Sequence, residues 1–376
     1  MSTTAQRALP ISLLLGALLA GCGSNRGPIV CPATNGCGCG AGSQLCVAPQ
    51  FLYAAGTNGQ VTVFPITSTG ALGSSTSVSG PSLTLGMTVL DNQYLYVSNP
   101  QPEIGSAVNA WALGSGTGTL TTVPGSPFAL GAFSVAGGLA NDSALPVVYV
   151  ADAGKIDALQ ADSTGALKPI SGSPFPSGTN LYLTVDPQNR FLFAADDDPP
   201  GSVLAFTINS SGGLAAVQGS PFPATTGNTQ PGQIVVDASG SFVYTTLTST
   251  GQVAAFSIST TPSGALTAVP GSPFAAGSQP LSLATVSSYL YVSNAGDGTI
   301  SGYSINSTTG VLTPLANSPF AIRGAALAID PIGPYLYASG SSGILAFTIN
   351  TQTGALAPIA GSPFAAPPAT VMTVTP

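Results

Sequence analysis

From residue 50 onward the chain alternates short apolar runs with turn residues, at intervals too tight for helices. The stretch after Gln279 shows the pattern. Residues 281–286, 289–293, 299–305 and 311–315 are runs rich in Leu, Val, Ile and Tyr, and Gly, Asn, Asp and Pro separate them. β-Branched and aromatic residues fit a pleated, half-buried surface, so the pattern predicts four short antiparallel strands. Outside the amino-terminal segment no stretch sustains the period of an amphipathic helix.

The unit recurs. Gly-Ser-Pro-Phe or a near copy ends at Phe128, Phe175, Phe222, Phe274, Phe320 and Phe364. The gaps run from roughly 44 to 52 residues, the range of a four-stranded propeller blade. Pro there is expected to end a strand and Phe to plug between blades. The third predicted strand carries an aromatic at one position, Phe64, Trp111, Phe206, Phe256, Tyr303 or Phe347, with Leu159 as the exception. The lone Trp111 therefore reads as a core residue. Two fragments flank the six complete units. Residues 51–78 lack a first strand, and 369–375 supply only a first strand. Their deficits complement each other, which predicts a seventh blade built from both chain ends and a closed ring. The expected fold is all-β, a seven-bladed β-propeller of four-stranded antiparallel blades over residues 50–376.

Composition changes the picture in two respects. Charged residues make up 5% and the net charge is -7, so a phosphate backbone is repelled and nucleic acid is not an expected partner. There is no histidine, which removes the commonest general base and metal ligand.

The amino terminus adds a location. Arg7 precedes an apolar run from Leu9 to Ala20 that is short for a membrane span. It ends in Leu19-Ala20-Gly21-Cys22, which resembles the lipobox of bacterial lipoproteins. The resemblance implies a signal peptide at 1–21, lipid on Cys22 and a membrane partner. Gly23 rather than Asp after the Cys implies the outer membrane if the host is Gram-negative. Residues 22–49 read as a Gly-rich linker. Its Cys31, Cys37, Cys39 and Cys46 suggest two disulfides with three pairings, or alternatively a small metal site.

Second strands reading Leu95-Tyr96-Val97-Ser98-Asn99, Val148-Tyr149-Val150-Ala151-Asp152 and Leu290-Tyr291-Val292-Ser293-Asn294 look like the YVTN repeat. The tiled region resembles the seven-bladed lactonase-like propellers, which include 6-phosphogluconolactonases and carboxymuconate lactonising enzymes. That resemblance implies a site at the mouth of the ring, built in the enzymes from polar and charged residues including His and Arg. This chain has no His to match and Glu103 is its only Glu.

In a propeller, the loops from strand two to three and from strand four to the next blade share one face. Glu103, Asp152, Asp196, Asp197, Asp198 and Asp297 fall in such loops, Asn99 and Asn294 end second strands there, and Arg323 precedes an inner strand. Arg323 and Asp297 are the candidate catalytic pair, the cation orienting or polarising a lactone carbonyl and an acid acting as base. Asn99, Glu103, Asp152, Asp196, Asp197, Asp198 and Asn294 are candidate ligand contacts. Asp196–Asp198 offers oxygen ligands for calcium without a recognisable calcium-loop spacing; no other cofactor is expected. The expected function is a monomeric binding module of the cell envelope for a small molecule, carbohydrate or envelope protein. The alternatives are a hydrolase of a non-phosphorylated lactone and a purely structural surface lipoprotein.

Overall fold

The computed structural model describes residues 49–100, 105–131, 136–152, 154–261 and 263–375, with only the backbone of 180 and 181. The signal, Cys22 and the four linker cysteines lie outside the described residues, as does Glu103.

Seven antiparallel sheets form the domain. In chain order, blade 1 holds residues 50–79, blade 2 residues 87–131, blade 3 residues 136–176, blade 4 residues 180–223, blade 5 residues 231–275, blade 6 residues 280–314 and blade 7 residues 327–358. Blade 6 runs through Pro280–Val286, Tyr289–Asn294, Thr299–Ile305 and Leu312–Pro314, close to the runs read from the sequence. Val371–Val374 completes blade 1 as its inner strand, pairing antiparallel with Gln50–Ala55. The ring thus closes by main-chain hydrogen bonds between the two chain ends. Inner strands of successive blades neighbour one another around the axis, and the blade 1 inner strand touches those of blades 2 and 7.

The core lies between blades. Seven apolar clusters each span two adjacent blades. Trp111 is buried in the one between blades 1 and 2. The reason is period two: in a strand flanked by neighbours on both sides, alternate side chains fill one interface each and almost none meets water. Val147–Asp152 is accordingly buried along its whole length.

Six of the seven interfaces are also stapled. The second-strand Tyr hydroxyl donates to a glycine carbonyl in the next blade: Tyr96 to Gly165 at 3.0 Å, Tyr149 to Gly212 at 2.9 Å, Tyr244 to Gly310 at 2.9 Å and Tyr291 to Gly354 at 2.7 Å. Tyr53 to Gly118 is longer at 3.4 Å, and Tyr337 to Gly70 at 3.0 Å closes the circle from blade 7 to blade 1. Phe193 holds the equivalent position in blade 4 and has no hydroxyl to give. The glycine is required twice over. Gly165 has φ of 82°, and a Cβ there would overlap the Tyr94 ring.

The Ser-Pro-Phe segments do more than end a strand. Each Ser hydroxyl accepts from a third-strand amide, as with Ala158 to Ser173 at 2.9 Å and Ala346 to Ser362 at 3.0 Å. Each Phe pairs with the third strand as well, giving blades 2 to 5 a short fifth strand and blades 6 and 7 an isolated bridge. The segment covers part of an edge that the fourth strand, three residues long in all of these blades but blade 5, leaves open.

Replacing Tyr149 with Phe leaves the buried Gly212 carbonyl without its donor and should lower the unfolding free energy by about 1–2 kcal/mol. Tyr94→Phe, which loses an exposed bond to Ser163, should cost less than about 0.5 kcal/mol. Urea unfolding of the two variants checks the contrast.

Candidate functional site

The face bearing the two-to-three and four-to-one loops carries a groove of about 650 Å³ between blades 5 and 6. Gln230, Thr248, Ser249, Thr250, Gly251, Ala276, Gly277, Ser278, Gln279 and Asp297 line it. Its outer wall is held by hydrogen bonds between two loops. Ala295 N–H donates to the Gln279 carbonyl at 2.9 Å, Gly296 N–H to the Ser278 carbonyl at 3.0 Å and Gly277 N–H to Asn294 Oδ1 at 3.1 Å. Asp297 Oδ2 accepts from Ser278 N–H at 3.0 Å and Oδ1 from the Thr299 hydroxyl at 3.4 Å. The carboxylate is therefore aimed by backbone while remaining exposed. Amides, hydroxyls and one carboxylate make this a hydrogen-bonding surface with no cation in its lining.

Arg323 stands on the other side of Asp297. Its stem lies against Gly298, whose φ of 63° and missing Cβ admit it. The guanidinium is exposed. No ion pair within 4.0 Å joins it to Asp297 or to any other described acid. The structure brings the two candidate catalytic residues into one neighbourhood without pairing them. Arg190 is on the opposite face, as the topology predicts, paired with Asp186 at 2.8 Å and lying 5.0 Å from the centre of the Phe191 ring.

The remaining sequence candidates divide. Asn294 is fully buried and its side-chain amide donates to Thr299 at 3.0 Å and Ser301 at 2.9 Å, so it braces the groove wall from behind. Asn99, at the matching position of blade 2, donates to Asn109 at 3.2 Å, and its Oδ1 has no partner. Asp152 takes that position in blade 3. It is fully buried and meets Lys155 at 2.5 Å, while Lys155 reaches Asp157 at 3.4 Å. Lys155 and Asp157 escaped the sequence reading, though their two-residue spacing on a strand puts both on the face of Asp152. Burial draws the Lys155 ammonium down, and the bond to Asp152 with the charges of both acids outweighs it, leaving it above its ordinary value. Burial first, then a hydrogen bond to Asp152, pushes Asp157 up to about 6 against the pull of Lys155.

Asp196, Asp197 and Asp198 do cluster, with one oxygen each inside 4.8 Å. Asp196 also accepts from the Ser202 hydroxyl and the Asp198 amide, both at 3.3 Å. Burial raises the carboxyls of Asp196 and Asp197. The donor set is all oxygen and fits a hard cation, but Asp198 is exposed and Asp197 half-buried. A second cavity, of about 350 Å³, lies in the channel towards the opposite face, lined by residues such as Leu283, Leu327 and Met372 and by no titratable group.

Comparison with known proteins follows the same lines. The family model described as Lactonase, 7-bladed beta-propeller matches residues 136–269 and 264–374, together more than half of the chain. No curated protein matches at a significant level. Among solved structures, a 6-phosphogluconolactonase-like protein of Bacteroides uniformis is 21% identical, with a TM-score of 0.71 over 87% of this chain and 99% of its own. A Lactobacillus plantarum protein is 16% identical, with a TM-score of 0.70 over 88% of this chain and 100% of its own. The periplasmic gluconolactonase of Pseudomonas aeruginosa is 18% identical, with a TM-score of 0.63 over 83% of this chain and 95% of its own. At these identities the likeness is one of fold.

The acid cluster of blade 3 sets a pH dependence. A carboxyl whose folded value lies above its unfolded one binds its proton more tightly in the fold, so folding gains as pH falls through the window between them. For Asp157 that window runs from about 6 down to 3.8. Asp196 and Asp197 add in the same direction. Melting temperature should therefore rise from pH 7 to pH 4.5, and Asp157→Asn should flatten most of that rise. A wild-type melting temperature that falls over this range contradicts the assignment.

Proposed function

The chain belongs to the seven-bladed lactonase β-propeller family, and we propose that this member is a lipid-anchored, extracytoplasmic binding module of the cell envelope. The groove between blades 5 and 6 carries the reading. It is broad, open and preformed, and its walls offer hydrogen bonds on several sides. Recognition by a rigid scaffold needs that much and no more. The anchoring part of the proposal rests on Arg7, the apolar run to Ala20 and Cys22. Acyl chains add about 0.8 kcal/mol per buried CH2, so two or more chains on Cys22 hold the protein at a bilayer durably. The propeller begins at Gln50 on the face opposite the groove, where Gln50 hydrogen-bonds Asp330 at 2.8 Å.

A second reading, hydrolysis of a non-phosphorylated lactone, is favoured by one observation: Asp297 and Arg323 flank the same residue, Gly298. An exposed carboxylate can serve as base for water, and a guanidinium beside it can polarise an ester carbonyl. Similarity in fold to a periplasmic gluconolactonase supports it as well. Against it stands the open, unpaired geometry of the two side chains.

Two measurements test the proposal. Cells fed labelled palmitate should incorporate it into the wild-type protein and not into Cys22→Ala. The mature lipoprotein in detergent should show no lactone turnover above a heat-inactivated control in pH-stat titration across a varied panel. Turnover that disappears in Arg323→Ala would replace the binding module with the hydrolase.

A further inference from the structure

Blade 1 departs from the other six at its outer edge. In those six the Phe of Ser-Pro-Phe pairs with the third strand, as Phe175 does with Ile156. Val78 takes that place in blade 1 and pairs with Val61, which opposes Ala55 as Ile156 opposes Ala151. The pair is a hydrogen-bonded one. Phe320 and Ile300 exchange both main-chain bonds in blade 6, at 2.8 and 2.9 Å, and Phe364 and Ile344 do so in blade 7. Bonded pairs alternate with unbonded ones along an antiparallel ladder, so the residue before the Phe turns its main chain away from the sheet. That residue is Pro127, Pro174, Pro221, Pro273, Pro319 or Pro363, which has no N–H to offer. In blade 1 it is Ser77. Gly80 N–H donates to the Gly59 carbonyl at 2.9 Å, which fixes the same alternation there. The N–H and C=O of Ser77 and of Ser79 therefore point outward from Thr76–Ser79, the outermost strand of its sheet. Thr76, Ser77 and Ser79 are exposed and Val78 is half-buried. Proline on an edge strand blocks pairing with another chain, and an edge without it is a template for one. The longer fourth strand of blade 5, Ser263–Ala268, is guarded differently, by a register shift and by Gly264 at a φ of 85°, which bend its edge.

We propose that this edge is a dimer interface, where two copies of the chain pair their Thr76–Ser79 strands antiparallel about a twofold axis at Val78. Ser77 then opposes the partner's Ser79 and Ser79 the partner's Ser77, each pair exchanging both main-chain bonds. Two observations make a second copy the fitting partner. The pairing is self-complementary, since the same two residues supply donors and acceptors on both sides. Charge does not oppose it either. Residues 50–90 and the closing strand 371–374 contain no Asp, Glu, Lys or Arg, although the chain carries a net charge of -7. Like charges facing across a strand pair destabilise it, and blade 1 has none to bring face to face. Each copy has one such edge, so the contact closes as a dimer and does not propagate into a fibre. Four residues a side make a small contact, below the size of a standard stable interface, so the dimer is weak and forms as concentration rises. It replaces the monomer expected from the sequence and is independent of what the groove between blades 5 and 6 binds.

Sedimentation equilibrium of the mature lipoprotein in density-matched detergent tests the proposal. On dilution the wild type should pass from dimer to monomer. Ser77→Pro restores the residue of the sister blades, and the double variant Ser77→Lys/Ser79→Lys sets Lys against Lys across the twofold. Each should weaken the dimer at least tenfold with a melting temperature close to that of the wild type, because the outward main-chain groups bond nothing within the chain. The anchor is the same in every variant, so association through a shared micelle cancels in the comparison. Ser77→Asp/Ser79→Asp should be monomeric by itself and should pair with the Lys variant when the two are mixed, a rescue that neither unfolding nor a micelle would produce. A wild type that stays monomeric at every concentration overturns the proposal, and so does a dimer that survives both the Pro and the Lys variants. Monomeric wild type that binds a synthetic peptide of residues 74–80, with binding lost in Ser77→Pro, overturns the second copy as occupant and gives the edge to an extended segment of another protein.

Discussion

The contact between neighbouring blades is the constraint on which the molecule depends. A four-stranded blade this short has two apolar faces and no core of its own. It becomes stable when both faces are covered, and in a closed ring every face is covered once. Burial supplies the bulk of that stabilisation, at roughly 25 cal/mol per Å² of apolar surface removed from water. The Tyr-to-Gly bonds add direction. A buried phenol must find an acceptor, and it finds the carbonyl of a left-handed glycine in the next blade's outer turn. Each bond fixes the rotation of one blade against the next, and the bond from Tyr337 to Gly70 requires that the rotations sum to a full circle.

Because interior positions are committed to these interfaces, variation gathers where the second strands end. Asn99, Asp152, Asp196, Leu247, Asn294 and Gly340 occupy that one position in successive blades. The first, second, third and fifth of them close onto polar partners in the third strand of their own blade. A charged cluster such as Asp152, Lys155 and Asp157 is thus a local solution to a recurrent geometric need. Its single cation leaves one negative charge over in a buried setting, which is why a proton is held there at higher pH than usual. The strand carrying Lys155 and Asp157 is paired on both sides, which holds the cluster in place.

Most of the fold was legible in the sequence because it is written as a period. Six repeats of Ser-Pro-Phe and the complementary end fragments specify blade number and closure without any knowledge of contacts. The same period announced the aromatic of the third strand, and Trp111 lies in the core accordingly. The bond from each Ser hydroxyl to the third strand was not legible, since a Ser before a Pro signals a turn and not which edge the turn will cover. The candidate site was legible only in part. Topology placed Asp297 and Arg323 on one face, and they are neighbours there. Whether two side chains so placed will pair depends on rotamers and on the stem packing of Arg323 over Gly298, which no spacing encodes. The groove itself is lined mainly by Ser, Thr, Gln and Gly, and Ser, Thr and Gly recur in turn after turn of this sequence, so nothing set those positions apart.

The contrast between Thr246 and its counterparts Ser98, Ser293 and Ser339 carries the last step. An unpartnered buried hydroxyl costs about 1–3 kcal/mol, and three sister blades show how easily a hydroxyl at this position is satisfied. Blade 5 has the hydroxyl and lacks the bond. It is one of four such buried polar atoms among the described residues, with Thr84 Oγ1, Asn99 Oδ1 and Asp330 Oδ2, and a ring of seven covered interfaces bears them. Departure from a repeat at a point of no structural gain is where sites are to be sought in a repeat protein, since each sister unit shows what structure alone would have placed there. Here the departure stands two residues from Thr248, on the wall of a broad polar groove.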